Sequence, residues 1–198
     1  MTGTRINREG IRGPALVAVG VFVLAAIYAG VRFGVAALDG EGRRAGALVS
    51  ILRPEYTGND RLAPDFTLSD RSGRPLTLSS LRGKVVVLHF WSKDCPPCIE
   101  ELSEALPAYD EMVRGRSDIA LVMVSVDEGW SAVSPYVRPS MHAAMLFDPD
   151  RAVVERRYGT RLFPETWIID RDGVIRARFD RTVEWTSAAF VHYVESFL

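Results

Sequence analysis

The chain has 198 residues, enough for one core domain with an appendage and short for two full domains. Its 24 basic and 25 acidic side chains nearly cancel, which removes the basic excess of a nucleic-acid binder and the acidic tail of a disordered chain. The 2 cysteines stand three positions apart, too few and too close for a secreted disulfide scaffold, so they serve reactivity or ligation.

Arg5, Arg8 and Arg12 precede an apolar run from Pro14 to Val31 that continues past Arg32 to Leu38. A helix of that length reaches roughly 37 Å, enough to cross a bilayer core of about 30 Å. Arg32 lies near the far end and can snorkel. The segment reads as a single transmembrane anchor over residues 14–38 behind a cytoplasmic segment, residues 1–13. A signal peptide cleaved near Val35-Ala36-Ala37 and a buried core helix are the alternatives. No cysteine lies near it, which excludes a lipid anchor there. The arginine bias leans toward a cytoplasmic N-terminus. That topology puts the rest of the chain in the periplasm or another extracytoplasmic space. Residues 39–60 read as a linker, with a short helix possible at Val49 to Leu52.

Residues 61–198 read as one α/β domain. Pro64 to Leu68 and Leu76 to Leu78 are short strands around the turn Asp70-Arg71-Ser72-Gly73. Ser79 or Ser80 can cap a single helical turn ending at Gly83. Val85-Val86-Val87-Leu88-His89-Phe90-Trp91 is a near-continuous apolar strand of the kind buried on both faces. A helix is expected from Pro96 to Arg114, with both prolines in its first turn, Glu100, Glu101 and Glu104 favouring its positive end, and a kink at Pro107. Ile119 to Val126 is a second buried strand, followed by weak helix over residues 130–142. Leu146-Phe147 is a short strand, and Arg151 to Tyr158 a helix stopped by Gly159. Thr166 to Ile169 and Val174 to Phe179 form a hairpin around Asp170-Arg171-Asp172-Gly173. Thr186 to Phe197 is a closing amphipathic helix. Strand–helix alternation implies a parallel layer, and the late hairpin adds antiparallel strands to give a mixed sheet flanked by helices.

Cys95-Pro96-Pro97-Cys98 follows a buried strand and opens a helix. The helix N-terminus stabilises a thiolate at Cys95, and Cys98 lies one turn in, within bonding reach. Cys95 can then attack a disulfide and Cys98 resolve the mixed disulfide. Half a zinc site is the main competing chemistry, but His89, His142 and His192 are not paired at ligand spacing. An inert structural disulfide is the other, although so short a loop constrains the unfolded chain little.

Together these motifs resemble the thioredoxin superfamily, and within it the membrane-anchored thiol reductases of the TlpA/ResA/CcmG type, which are related to the AhpC/TSA proteins. The matching text is Ala63 to Leu68, Leu81 to Val87, Phe90-Trp91, the Cys95–Cys98 motif, Asp148, Tyr158-Gly159 and Phe163 to Ile175. The resemblance implies a thioredoxin-like fold and a cis Phe163–Pro164 bond against the cysteine pair, in a loop that presents backbone groups to a client chain. It places an acid after the second buried strand, with Glu128 the better positional match in Val126-Asp127-Glu128. Pro97 and Trp91 support the motif. No metal and no cofactor beyond the Cys95–Cys98 disulfide is expected. Implied partners are protein thiol or disulfide clients, such as apocytochrome c or copper-site cysteines, and a DsbD/CcdA-type membrane electron donor.

Two positions depart from that pattern. Asp94 replaces the Trp that usually precedes the first cysteine, and an anion there disfavours a thiolate at Cys95. A destabilised reduced form makes the dithiol a better reductant, so a reductase is expected. His89 replaces Asp or Asn behind the active site, where it can act as a buried proton shuttle or as a satisfied core histidine. Two other activities compete. A Sco-like copper-delivery module would need three residues between its cysteines. A thiol peroxidase would need a Thr-x-x-Cys motif, which is absent from the sequence.

Overall fold

The computed structural model describes residues 23–30, 56–57 and 61–198. The chain divides into two units, Met1–Gly46 and Ala47–Leu198. In the first, residues 23–30 are helical (α1), with Val23, Leu24, Ile27 and Tyr28 exposed. Among the described residues no helix is long and apolar enough to cross a membrane. Most of the expected 14–38 anchor, and the helix considered at Val49 to Leu52, lie outside the described residues.

In the second unit the apolar run Val85–Trp91 forms the central strand β4, buried at every position. It pairs in parallel with β5 (Ile119–Ser125), which pairs in parallel with β6 (Ala144–Phe147). On its other side β4 pairs antiparallel with β7 (Glu165–Ile169), which forms the expected hairpin with β8 (Ile175–Phe179). Tyr56–Thr57 (β1), inside the stretch read as linker, adds antiparallel to β8 at the sheet edge. The sheet order is β1-β8-β7-β4-β5-β6, and β2 (Thr67–Ser69) and β3 (Pro75–Thr77) form a separate hairpin. The two faces of β4 feed two cores. Val85, Val87 and Trp91 join Leu102, Leu106, Tyr109, Trp185 and Phe190 on one face. Val86, Leu88 and Phe90 join Phe66, Tyr158, Trp167 and Ile175 on the other. This is the expected thioredoxin-like α/β fold.

The helices depart more from expectation. The single helix expected from Pro96 to Arg114 is two, α2 (Pro96–Ser103) and α3 (Ala105–Val113), broken at Glu104 with φ −142°. The break falls before Pro107 because a proline ring clashes with the carbonyl four residues earlier, here Ser103. Pro107 is then third in α3, where an N–H has no helical acceptor. The freed Ser103 carbonyl accepts from Arg138 Nη2 instead. Residues 130–142 contain only one short helix, α4 (Trp130–Val133). Arg151 to Tyr158 is not a regular helix. Arg151 stands at φ +56°, and the Arg151 carbonyl accepts from both Glu155 and Arg156 N–H groups, so the turns there mix spacings. Gly159, at φ +77°, ends them as expected. The closing helix α5 spans Ala188–Glu195, capped by Ser187 Oγ on Phe190 N–H.

Candidate active site

The sheet register assembles the site at one edge. Trp91 ends β4 opposite Ser125 of β5, and Phe90 stands opposite Glu165 of β7. The loop after Trp91, the loop after Ser125 and the loop before Glu165 therefore leave the sheet side by side. They carry Cys95, Asp127-Glu128 and Phe163-Pro164 respectively.

Cys95 and Cys98 form a disulfide with an S–S distance of 2.10 Å and Cα atoms 5.3 Å apart. Cys95 is the N-cap of α2, and its Sγ accepts the Cys98 N–H at 3.2 Å. Both prolines sit in the first turn, where their missing N–H groups cost nothing. The sulfurs differ in access: Cys95 is 8% exposed and Cys98 is fully buried. A backbone N–H and the helix end both favour negative charge on Cys95 Sγ once the bond is reduced. Lys93 Nζ lies 2.9 Å from the Asp94 carboxylate, so a cation balances the anion that stands before Cys95. That pairing weakens the effect expected of Asp94 on the thiolate.

Asp127 holds the approach to Cys95. It is buried and accepts from Ser125 Oγ (2.7 Å), Lys93 N–H (2.8 Å) and Ser92 Oγ (3.2 Å). Glu128, the acid favoured from the sequence, is exposed beside it. Past the end of β5 the chain turns Asp127 inward onto Ser92, Lys93 and Ser125 and leaves Glu128 at the surface, which the positional match overlooked.

The Phe163–Pro164 bond is cis, Pro164 is buried and Phe163 half-buried. Glu165 anchors this loop. It is 1% exposed, accepts from Thr160 Oγ1, and receives Arg178 Nε (3.0 Å) and Nη2 (2.7 Å). Leu162, just before Phe163-Pro164, is 81% exposed.

Behind the disulfide lies a polar group that sequence reasoning missed. Glu101, one turn beyond Cys98 on α2, is 5% exposed. Its Oε1 accepts from Trp185 Nε1 (2.8 Å) and Val183 N–H (3.1 Å). Burial raises its pKa to about 7. None of Glu100, Glu101 and Glu104 lies in α2's first turn, so the role expected for them at its positive end is not met. The available signal was spacing: an acid three residues after a buried cysteine shares its face. His89, expected behind the site, is fully buried there, with Nδ1 3.0 Å from Thr166 Oγ1 and Nε2 3.8 Å from Glu101 Oε2. Burial pushes its pKa down to about 3, so its ring is neutral. Among the described residues no group of His, Cys, Asp and Glu is arranged to hold a metal.

The sequence pattern of the AhpC/TSA family matches residues 60–178. The chain belongs to the AhpC/TSA family. No curated protein sequence matches it. Solved structures do. The thioredoxin domain of a thiol–disulfide oxidoreductase from Bacteroides vulgatus is 25% identical with a TM-score of 0.54, over 72% of this chain and 97% of that one. A candidate thiol:disulfide interchange protein DsbE from Chlorobium tepidum superposes with a TM-score of 0.59 at 22% identity, over 71% and 98%. The exposed lipoprotein thioredoxin of Streptococcus pneumoniae does so at 0.56 and 23%, over 67% and 99%. This AhpC/TSA protein is a thiol–disulfide oxidoreductase of the thioredoxin superfamily.

Proposed function

We propose that this protein is a membrane-anchored, extracytoplasmic reductase of protein disulfides. The observation that carries the catalytic part is the asymmetric pair at the β4–α2 junction: a partly accessible Cys95 on the helix N-cap and a fully buried Cys98 bonded to it. The apolar run at residues 14–38 supports the anchor, with the catalytic domain outside the inner or cytoplasmic membrane.

The chemistry runs from the reduced enzyme. Cys95 thiolate attacks one sulfur of a client disulfide, and the other client sulfur leaves as a thiolate. Cys98 then loses its proton and attacks Cys95 Sγ, which expels the second client thiolate. The enzyme is left oxidised, two electrons having passed to the client. Glu101 is the proton acceptor for Cys98, since it lies one helical turn away and its pKa of about 7 leaves it poised between both forms at neutral pH. The loop around Phe163-Pro164, held by Glu165, offers its backbone and the exposed Leu162 to the client chain. Clients are protein disulfides such as those of apocytochrome c haem-attachment or copper-site cysteines. Electrons return from a DsbD/CcdA-type membrane donor.

The test is a Cys98→Ala variant expressed in its own compartment. Without the resolving thiol, clients should accumulate as mixed disulfides on Cys95, reversible by dithiothreitol and absent in Cys95→Ala. No adduct would remove the reductase reading. Stoichiometric Cu(I) binding without exchange would favour a copper module, and rapid peroxide turnover a peroxidase.

A further inference from the structure

His89 and Glu101 confront each other behind the cysteine pair with their last polar atoms unspent. Glu101 Oε1 is satisfied by Trp185 and Val183, but Oε2 is buried with no partner. His89 Nδ1 is matched to Thr166 Oγ1, its direct cross-strand neighbour, but Nε2 is buried with no partner. These two orphaned atoms lie 3.8 Å apart, slightly beyond hydrogen-bond length. Both belong to rigid elements, His89 to β4 and Glu101 to α2, and the His89 ring packs edge-on to Trp185 at 5.1 Å between centroids. Two unmatched polar atoms aimed at each other in a closed core are costly unless a small side-chain shift joins them.

We propose that His89 is a positioning residue that switches tautomer with the protonation of Glu101, so that the pair handles one proton as a unit. The inference rests on the reading of Glu101 as proton acceptor for Cys98. When Glu101 is a carboxylate, His89 carries its proton on Nε2 and donates it to Oε2, while Nδ1 accepts from the Thr166 hydroxyl. When Glu101 has taken the Cys98 proton, its O–H donates to Nε2, and the His89 proton sits on Nδ1 facing Thr166 Oγ1. Thr166 can serve both states because a hydroxyl donates or accepts. In both end states the ring holds a single proton, so no imidazolium accumulates in either one. Burial disfavours imidazolium strongly, which agrees with a neutral ring in both populated states.

The surroundings contain few other charges able to take over this role. On α2 itself Glu100 is exposed and its charge slightly raises the Glu101 pKa. From α3, Tyr109 packs on Trp185 with its pKa raised by burial, so it stays neutral. From β7 the Thr166 hydroxyl faces His89. Cys98 is held in the disulfide and does not titrate in the oxidised protein.

The experiment is NMR on the full oxidised protein, following His89 ring ¹⁵N and Glu101 side-chain ¹³C signals from pH 5 to 9. The proposal expects the His89 nitrogens to exchange protonated and unprotonated signatures through the same midpoint at which Glu101 titrates. In Glu101→Gln the ring should stay in one tautomer at every pH. In His89→Phe, which keeps the ring volume and removes the N–H, the Glu101 midpoint should rise by about one pH unit, a tenfold weaker acid. A His89 signal that ignores the Glu101 titration, or an imidazolium signature, would overturn the proposal. The wild-type measurement stands even if His89→Phe fails to fold. Adduct formation by Cys98→Ala is read separately, so loss of the tautomer switch leaves the reductase reading intact.

Discussion

Replacing Glu101 by glutamine should make the oxidised protein more stable above pH 7 and change it little below pH 4.5. Burial lifts the carboxyl from 4.5 to about 7 in the folded state. Between those values the unfolded chain has released a proton that the folded chain still holds, so rising pH favours unfolding. At about 1.4 kcal/mol per pH unit, the gap corresponds to about 3 kcal/mol of lost stability, complete above pH 7. Glutamine keeps an oxygen for Trp185 Nε1–H and Val183 N–H, so those bonds survive the change. His89 acts in the opposite sense. Its pKa falls from 6.5 to about 3, so its penalty grows as pH drops below 6.5. The wild-type curve therefore mixes both groups, and the difference between variant and wild type isolates Glu101. The assay is urea unfolding of the oxidised proteins from pH 4 to 9. A difference that is flat with pH, or that grows toward low pH, would refute the assignment of a buried, reluctant carboxylate.

Client reduction by the wild-type enzyme should rise with pH through about 7, as Glu101 becomes able to accept the Cys98 proton, and that rise should vanish in Glu101→Gln under stopped-flow assay. Asp127→Ala strips the acceptor from Ser92 Oγ, Ser125 Oγ and Lys93 N–H, so it should cost about 2 kcal/mol in denaturant unfolding. It should also slow exchange by about tenfold or more, because the segment leading to Cys95 loses its tether. Glu165→Ala leaves Arg178 and Thr160 without their shared partner and should destabilise by roughly 3 kcal/mol, measured by the same method.

Where a residue pattern maps directly to a backbone shape, the sequence was a sound guide. Six apolar residues and His89, from Val85 to Trp91, became a strand buried at every position, because such a run satisfies its backbone only between two partners. The Asp170 to Gly173 turn likewise set the β7–β8 hairpin. The cysteine motif was legible because its chemistry depends on local placement, a strand end meeting a helix start. The break at Glu104 was harder to place, since a proline acts on the carbonyl four residues before it. The short edge strand Tyr56–Thr57 has no periodicity to read over two residues. The Glu101–Trp185–His89 cluster was hidden because it joins residues 84 and 12 positions from Glu101, and only the fold brings them together. Glu128 was the better positional match in the sequence, and only the fold past the end of β5 shows that Asp127 is the acid turned inward.

The division of labour between the two sulfurs can be read from alkylation of the reduced protein with limiting iodoacetamide at neutral pH, followed by peptide mass spectrometry. An accessible thiolate at the helix cap and a shielded thiol behind it predict carbamidomethylation of Cys95 with Cys98 left free. Equal labelling of both, or labelling of Cys98 first, would contradict the account of which sulfur attacks and which resolves.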